Sequence, residues 1–282
     1  MSLIVVTVVK NDLDGLKRTQ NSVTLQSSKV KWKIVTPFDQ SPTHHHAQRL
    51  LEDGLILELT EDEGSGVYGA MNQSVFSSLP QEWIWFLNAG DEFGTKDSYQ
   101  QVVNKIEKPT SRWLYGGYFV ATKIGEIIGE REPVREFSAT KHLFGIDSIC
   151  HQATIMQASL MQELNGFDRQ YTIAADWDLI VRASFLESPM IINEPICIFY
   201  LGGLSTTSRN KGNFELLRVR SQLLPAEFRY QNYKWFITKL VRHFIVMKLE
   251  NITPKLVNSL RMKARKKVIK RRNRYSLKDF NE

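Results

Sequence analysis

The sequence predicts an α/β fold, a sheet layered between helices, and three observations carry that expectation. Residues 3–9 form a run of apolar and β-branched side chains, with Thr7 its one hydroxyl, the composition of a strand buried on both faces of a parallel sheet. Strand-like and helix-like segments then alternate as far as residue 87. The polar stretches 10–12, 61–66 and 88–91 each follow a strand, and ligands collect at the carboxyl ends of strands in such sheets.

Taken in order, Lys10-Asn11-Asp12 breaks the first strand, and residues 13–25 carry a helical pattern. Residues 33–36 are a second strand, ended by Pro37. The run His44-His45-His46 is predicted as a solvent-exposed loop, because consecutive residues do not readily share one metal geometry. A third apolar run, 55–59, precedes an acidic, glycine-rich loop; 67–79 is helical and 83–87 a strand. Residues 113–119 and 123–131 are further strands with a turn near Gly125, and 148–156 is another extended segment. Residues 173–185 form a helix with Asp176 and Asp178 near its start, where carboxylates suit the helix dipole. Short apolar runs at 191–192 and 196–200 flank Pro195, and from about residue 213 the pattern is helical, with breaks at Pro225 and Pro254.

Composition narrows the class. At 42% hydrophobic and 24% charged residues the chain suits one sizeable globular core. Two cysteines, Cys150 and Cys197, make no disulfide framework, which predicts a reducing, cytoplasmic setting. The apolar N-terminus is too short to span a membrane and has no charged region before it, so no signal peptide is predicted. Residues 255–282 hold eleven Lys and Arg against two Asp and Glu, so the overall charge of +7 belongs to the tail. Residues 233–249 interleave apolar and basic side chains as an interfacial helix does. These features predict a body over residues 1–210 and a basic helical extension over 211–282. The extension is expected to seat on an anionic membrane surface. The tail lacks the regular aromatics of a nucleic-acid stacking platform, so no nucleic-acid partner is expected, although a protein binding RNA through the tail stays open as a rival reading.

Four motifs occur in order: Gly66-Val67-Tyr68-Gly69-Ala70-Met71-Asn72; Trp83 to Asp91, ending Asn88-Ala89-Gly90-Asp91; Ile149-Cys150-His151-Gln152-Ala153; and Gly166-Phe167-Asp168 through Ala174-Ala175-Asp176-Trp177-Asp178. Together they resemble family 2 glycosyltransferases, most of all the bacterial branch containing colanic-acid-type exopolysaccharide enzymes. The resemblance spans about residues 3–205. It implies a GT-A fold, a mixed sheet flanked by helices. It also implies transfer of a sugar, with inversion, from a nucleoside-diphosphate sugar to a saccharide or polyprenyl-linked acceptor at the inner face of the plasma membrane.

The same resemblance assigns residues. Asp176 matches the general base that takes the acceptor proton. Asp91 is the carboxylate remaining from an Asp-x-Asp-type motif and the expected ligand of Mg²⁺ or Mn²⁺, with Asn88 placed to hydrogen-bond ribose or phosphate. Thr7, Asn11, Glu63, Gly66, Asn72 and His151 complete the expected nucleotide-sugar site; Gly66 lets backbone approach a ligand closely. Tyr68, Met71 and Asp178 read as structural, and residues 202–205 as a loop over the donor. After the second strand the family's Asp-Gly-x-Ser pattern is replaced by Asp39-Gln40-Ser41, which leaves the base open. With Asn88 and Gly90 where carboxylates are usual, an inactive sugar-nucleotide-binding relative is the alternative.

Overall fold

The computed structural model describes residues 2–122, 124–201 and 209–252. The expected loop at 202–205 and the tail from residue 255 lie outside the described residues.

The chain opens with β1 (Ser2–Val8), α1 (Leu13–Thr24), β2 (Trp32–Thr36), α2 (Pro42–Glu52), β3 (Glu58–Glu61), α3 (Val67–Ser77) and β4 (Glu82–Phe86). These four strands are parallel, in the order β3-β2-β1-β4. The sheet continues with β5 (Glu92–Phe93), β6 (Trp113–Ala121), β7 (Ile127–Arg131), β8 (Thr154–Gln157) and β9 (Met190–Tyr200). Here β8 is antiparallel to both β4 and β6, β9 runs parallel to β6, β5 pairs with the far edge of β9, and β7 pairs with β6. The result is the mixed α/β sheet predicted, with its parallel half at the N-terminus.

Alternation along β1 builds two cores from one strand. Leu3 and Val5 face one layer, with Leu16 and Val23 of α1, Ala47 and Leu50 of α2, and Tyr99 and Val102 of α4 (Ser98–Ile106). Ile4 and Val6 face the other, with Met71 and Val75 of α3. That second layer also takes in α5 (Ala139–Leu143), α6 (Ala158–Glu163), α7 (Ala175–Leu186) and α8 (Arg209–Leu223) through Leu143, Met161, Leu179 and Val219. Burial on both faces is why the first strand reads as one apolar run. A last helix, α9 (Arg229–Ile252), packs on α8.

Two expectations are corrected. The histidine run is not a loop but the first turns of α2, capped by the Ser41 hydroxyl, which accepts from His44 N at 3.2 Å, with Pro42 in the first turn. His44 is buried and stacked on Phe38, whereas His45 and His46 contact Gln40 and Gln20. The His44 and His45 rings stack at 5.9 Å, while His46, about 100° further around the helix, turns toward α1. The runs around Pro195 are a single strand, β9, whose register against β6 shifts on both sides of Gly117. The resulting bulge absorbs the residue that lacks a backbone donor.

Candidate active site

The carboxyl ends of β1 to β4 open on one rim, and the turn 88–91 lies at its centre. Leu87 N and Ala89 N still bond to Val6 O and Val8 O, so the chain keeps company with β1 beyond the end of β4. The turn is then pinned by α1. Thr19 Oγ1, fully buried, donates to Asn88 O (3.2 Å) or Asp91 O (2.8 Å) and accepts from Gly90 N (3.1 Å), while Gly90 N also reaches Gly15 O (3.0 Å). One turn on, Ser22 Oγ accepts from Phe93 N at 2.7 Å. Neither Thr19 nor Ser22 was assigned from sequence; small hydroxyl residues three apart on an otherwise apolar helix face were the available signal.

Asp91 lies in a partly buried setting that pushes its carboxyl up to about 7, chiefly by desolvation, with a hydrogen bond from Gln152 opposing the shift. Asn88 Oδ1 is buried without a hydrogen-bond partner. Gln152 in turn accepts from the Cys150 thiol (2.9 Å), and its backbone carbonyl accepts from Trp85 Nε1 (2.7 Å). Gln152 belonged to a recognised motif, but nothing in its spacing announced that it would stand beside Asp91.

Rings connect this turn to the second acid. His151 stacks on Phe86 and meets the edge of Phe167, and Phe167 stacks on Tyr68 at 5.3 Å. Tyr68 OH lies 3.2 Å from Asp176 Oδ1 and 2.9 Å from Ile173 O. Asp176 stands in the first turn of α7 and also accepts from Trp177 N at 2.9 Å. Burial raises its carboxyl to about 6, with these hydrogen bonds opposing the shift. Burial lowers His151 to about 4, so its ring is neutral at pH 7, and its Nε2 is buried with no partner.

The start of α7 is held from a distance. Glu215 of α8 accepts from Thr172 N and Oγ1, Ile173 N (2.8 Å) and Ala174 N (3.0 Å), closing the backbone groups ahead of the helix. Burial works to raise this carboxyl, but the N–H groups outweigh it and keep it below its ordinary value. Asp178 is structural, as expected: it pairs with Arg182 at 2.6 Å, and Arg182 also donates to Leu164 O and Gly166 O.

The remaining assigned residues divide between rim and scaffold. Asn11, Glu63 and Gly66 are exposed on the rim, Asn11 and Gly66 with left-handed φ of 50° and 79°. Thr7 and Asn72, expected to contact the nucleotide, serve the scaffold. Thr7 is fully buried, donating to Leu87 O (2.6 Å) and accepting from Trp32 Nε1 (2.9 Å), because its position on β1 faces the α1 layer. Asn72 spans the backbone of Phe167, donating to its O (2.9 Å) and accepting from its N (2.8 Å). A groove of about 880 Å³ runs along the other flank of α3 beside residues 164–170; Glu63 and Asn72 line it, but neither Asp91 nor Asp176 does.

No protein-family model matches the chain. An uncharacterised glycosyltransferase of Mycobacterium tuberculosis is 31% identical over 222 residues, covering 78% of this chain and 82% of the relative. The chain belongs to the glycosyltransferases. This glycosyltransferase shares its fold with Staphylococcus aureus TarS in complex with UDP (TM-score 0.60, 12% identity, 86% of this chain and 72% of that one). It also shares it with the Pyrobaculum calidifontis mannosyltransferase PcManGT in complex with GDP-Man and Mn²⁺ (TM-score 0.55, 12% identity, 82% and 68%). The mixed sheet of the glycosyltransferase is thus GT-A-like. Among its described residues no group of three or more His, Cys, Asp or Glu could hold a metal ion.

Proposed function

We propose that this glycosyltransferase is a family 2 enzyme of the colanic-acid-type branch. In this reading it moves a sugar with inversion from a nucleoside diphosphate to a hydroxyl of a saccharide or polyprenyl-linked acceptor in cell-surface polysaccharide synthesis. The observation that carries the reading is Asp176, a carboxyl raised to about 6, bonded to Tyr68, and joined through rings to the turn that ends β4. A base with that pKa is ionised at neutral pH and still accepts a proton readily.

In the reaction the acceptor oxygen attacks the anomeric carbon as its proton passes to Asp176. The bond from that carbon to the diphosphate oxygen breaks, and the diphosphate leaves with the electron pair. Attack on the face opposite the leaving group gives inversion. Charge grows on the departing diphosphate at the side of Asn88 and Asp91. The Asp91 carboxylate is a hard oxygen donor that fits Mg²⁺ or Mn²⁺, completed by substrate phosphates, and the unpartnered Asn88 Oδ1 is free to accept from a ribose hydroxyl. When bound, such an ion neutralises charge on the leaving diphosphate. His151, neutral and with a buried free Nε2, suits a hydrogen bond to the donor, while Asn11, Glu63 and Gly66 rim it. The UDP, GDP-Man and Mn²⁺ in the related structures support a nucleotide-sugar donor.

Calorimetric titration with UDP, GDP, TDP and CMP, with and without Mn²⁺, tests the reading. Binding of one nucleotide that requires Mn²⁺, is lost in Asp91→Ala and is kept in Asp176→Ala is the expected result. Absence of any nucleotide binding overturns it. Nucleotide-sugar binding without turnover in any acceptor screen favours the inactive relative instead.

A further inference from the structure

The outer face of α9 is unlike any other helix surface among the described residues. Its inner face is docked on the body. Asn232 is buried and accepts from Arg220 Nε at 2.5 Å, Trp235 Nε1 donates to Phe144 O at 3.1 Å, and Phe236 packs edge-on against Phe214. Arg220, itself fully buried, lies over the Trp235 ring at 4.0 Å, and Lys239 turns back over the same ring at 4.9 Å. A helix seated in this way is expected to be polar on its opposite side. It is not.

Tyr230, Tyr233, Ile237, Val241 and Ile245 are all more than half exposed. Their spacing of three or four residues places them within about 120° of the helix circumference, opposite Asn232, Trp235 and Phe236. Lys234 is exposed within this stripe and Arg242 is exposed at its flank. A water-facing stripe of this size without a partner is unfavourable, and such stripes mark interaction surfaces.

Charge selects the partner. Residues 229–282 contain sixteen Lys and Arg against three Asp and Glu. A second copy seated on the stripe would bring two such segments together, so like charges oppose self-association. An anionic surface with an apolar interior satisfies both halves of the pattern: the stripe enters it while the flanking cations meet its charge. No helix among the described residues is long and apolar enough to cross a membrane, which leaves lying on one. We propose that the exposed face of α9 is a membrane-docking surface for anionic phospholipid, with Tyr230, Tyr233, Ile237, Val241 and Ile245 inserted and Lys234 and Arg242 at the headgroups.

Full-length protein is sedimented with vesicles of phosphatidylcholine alone and of phosphatidylcholine mixed with phosphatidylglycerol. Binding is expected on the mixed vesicles and to weaken as salt is raised. Ile237→Ser with Val241→Ser should reduce that binding by about tenfold or more. Lys234→Ser with Arg242→Ser should reduce it by roughly fivefold per charge removed. Both variants should keep the wild-type thermal midpoint and nucleotide affinity, which separates loss of docking from loss of folding or of donor binding. Undiminished vesicle binding by the Ile237/Val241 variant overturns the proposal. So does a wild-type dimer in light scattering that the same variant converts to monomer, or salt-sensitive RNA binding with no vesicle binding.

Discussion

Asp176 carries the largest consequences of any single side chain. Its carboxyl is raised from an ordinary 3.8 to about 6, so the folded protein binds its proton more tightly than the unfolded chain between those values. This site's contribution to stability therefore falls as pH rises from about 4 to 6, and above that the buried charge costs about 3 kcal/mol. Asp176→Asn should raise the thermal midpoint at pH 8 and leave it nearly unchanged at pH 4, while lowering kcat by about a hundredfold to ten-thousandfold. Equal midpoints at both pH values would remove the buried-charge account. Turnover in the wild type should rise with pH to a plateau above about 6. Tyr68→Phe removes a hydrogen bond that stabilises the carboxylate, so the midpoint of that rise should move upward in a kcat profile. A downward or absent shift would mean that Tyr68 only packs. The helical spacing of Tyr68 marked it as core, and its ring is indeed stacked on Phe167; the hydroxyl contact needed α3 and α7 side by side.

Two helices, α1 and α8, hold the backbone on which the proposed reacting groups stand. Glu215 of α8 closes the donors ahead of α7, so Glu215→Ala leaves several of them without a partner and should cost about 2–4 kcal/mol, read by denaturant unfolding. Turnover should fall with it while nucleotide affinity holds, since the Asn88–Asp91 turn is anchored by α1 instead. The loop 165–168 is equally constrained. Gly166 has φ of 67°, and a Cβ there would sit 2.3 Å from Asn72 Oδ1, the atom that holds Phe167 N. Gly166→Ala should destabilise the fold by about 1–3 kcal/mol through backbone strain and a broken clamp. A neutral unfolding midpoint would show that the loop relaxes. At this scale, much was legible locally: β1 and β4 follow from their apolar runs, α1 from periodicity and its Asp12 cap, and α3 and the start of α7 from helical spacing within the motifs. The helix α2 was legible too, through Ser41 and Pro42, but the histidines drew the reading toward a loop. The helix α4 carries Tyr99, Val102 and Ile106 at helical spacing and was not assigned.

For the molecule as a whole, ligand binding should report on the assembled cleft. A nucleotide present at a hundred times its Kd should stabilise the fold by about 2.7 kcal/mol, and Asp91→Ala should abolish that increment in a thermal shift series with Mn²⁺. An increment retained in Asp91→Ala would remove that residue from the donor site. The residues past 210 also belong to this scale: Val219 is buried in the layer that holds α3 and α7, Glu215 binds the backbone ahead of α7, and Arg220 is buried against Leu143 O and Trp235. By itself the sequence determined the α/β class and the parallel N-terminal half and singled out the two acids proposed for the reaction, because periodicity, turn chemistry and ordered motifs are local properties. Only the tertiary structure decided that Thr7 and Asn72 face inward, that Gln152 meets Asp91, that Glu215 closes α7, and that the apolar stripe of α9 points away from the body. Each of these depends on which elements lie side by side, and hydrogen bonds and burial between residues up to a hundred positions apart leave no periodic trace in the chain.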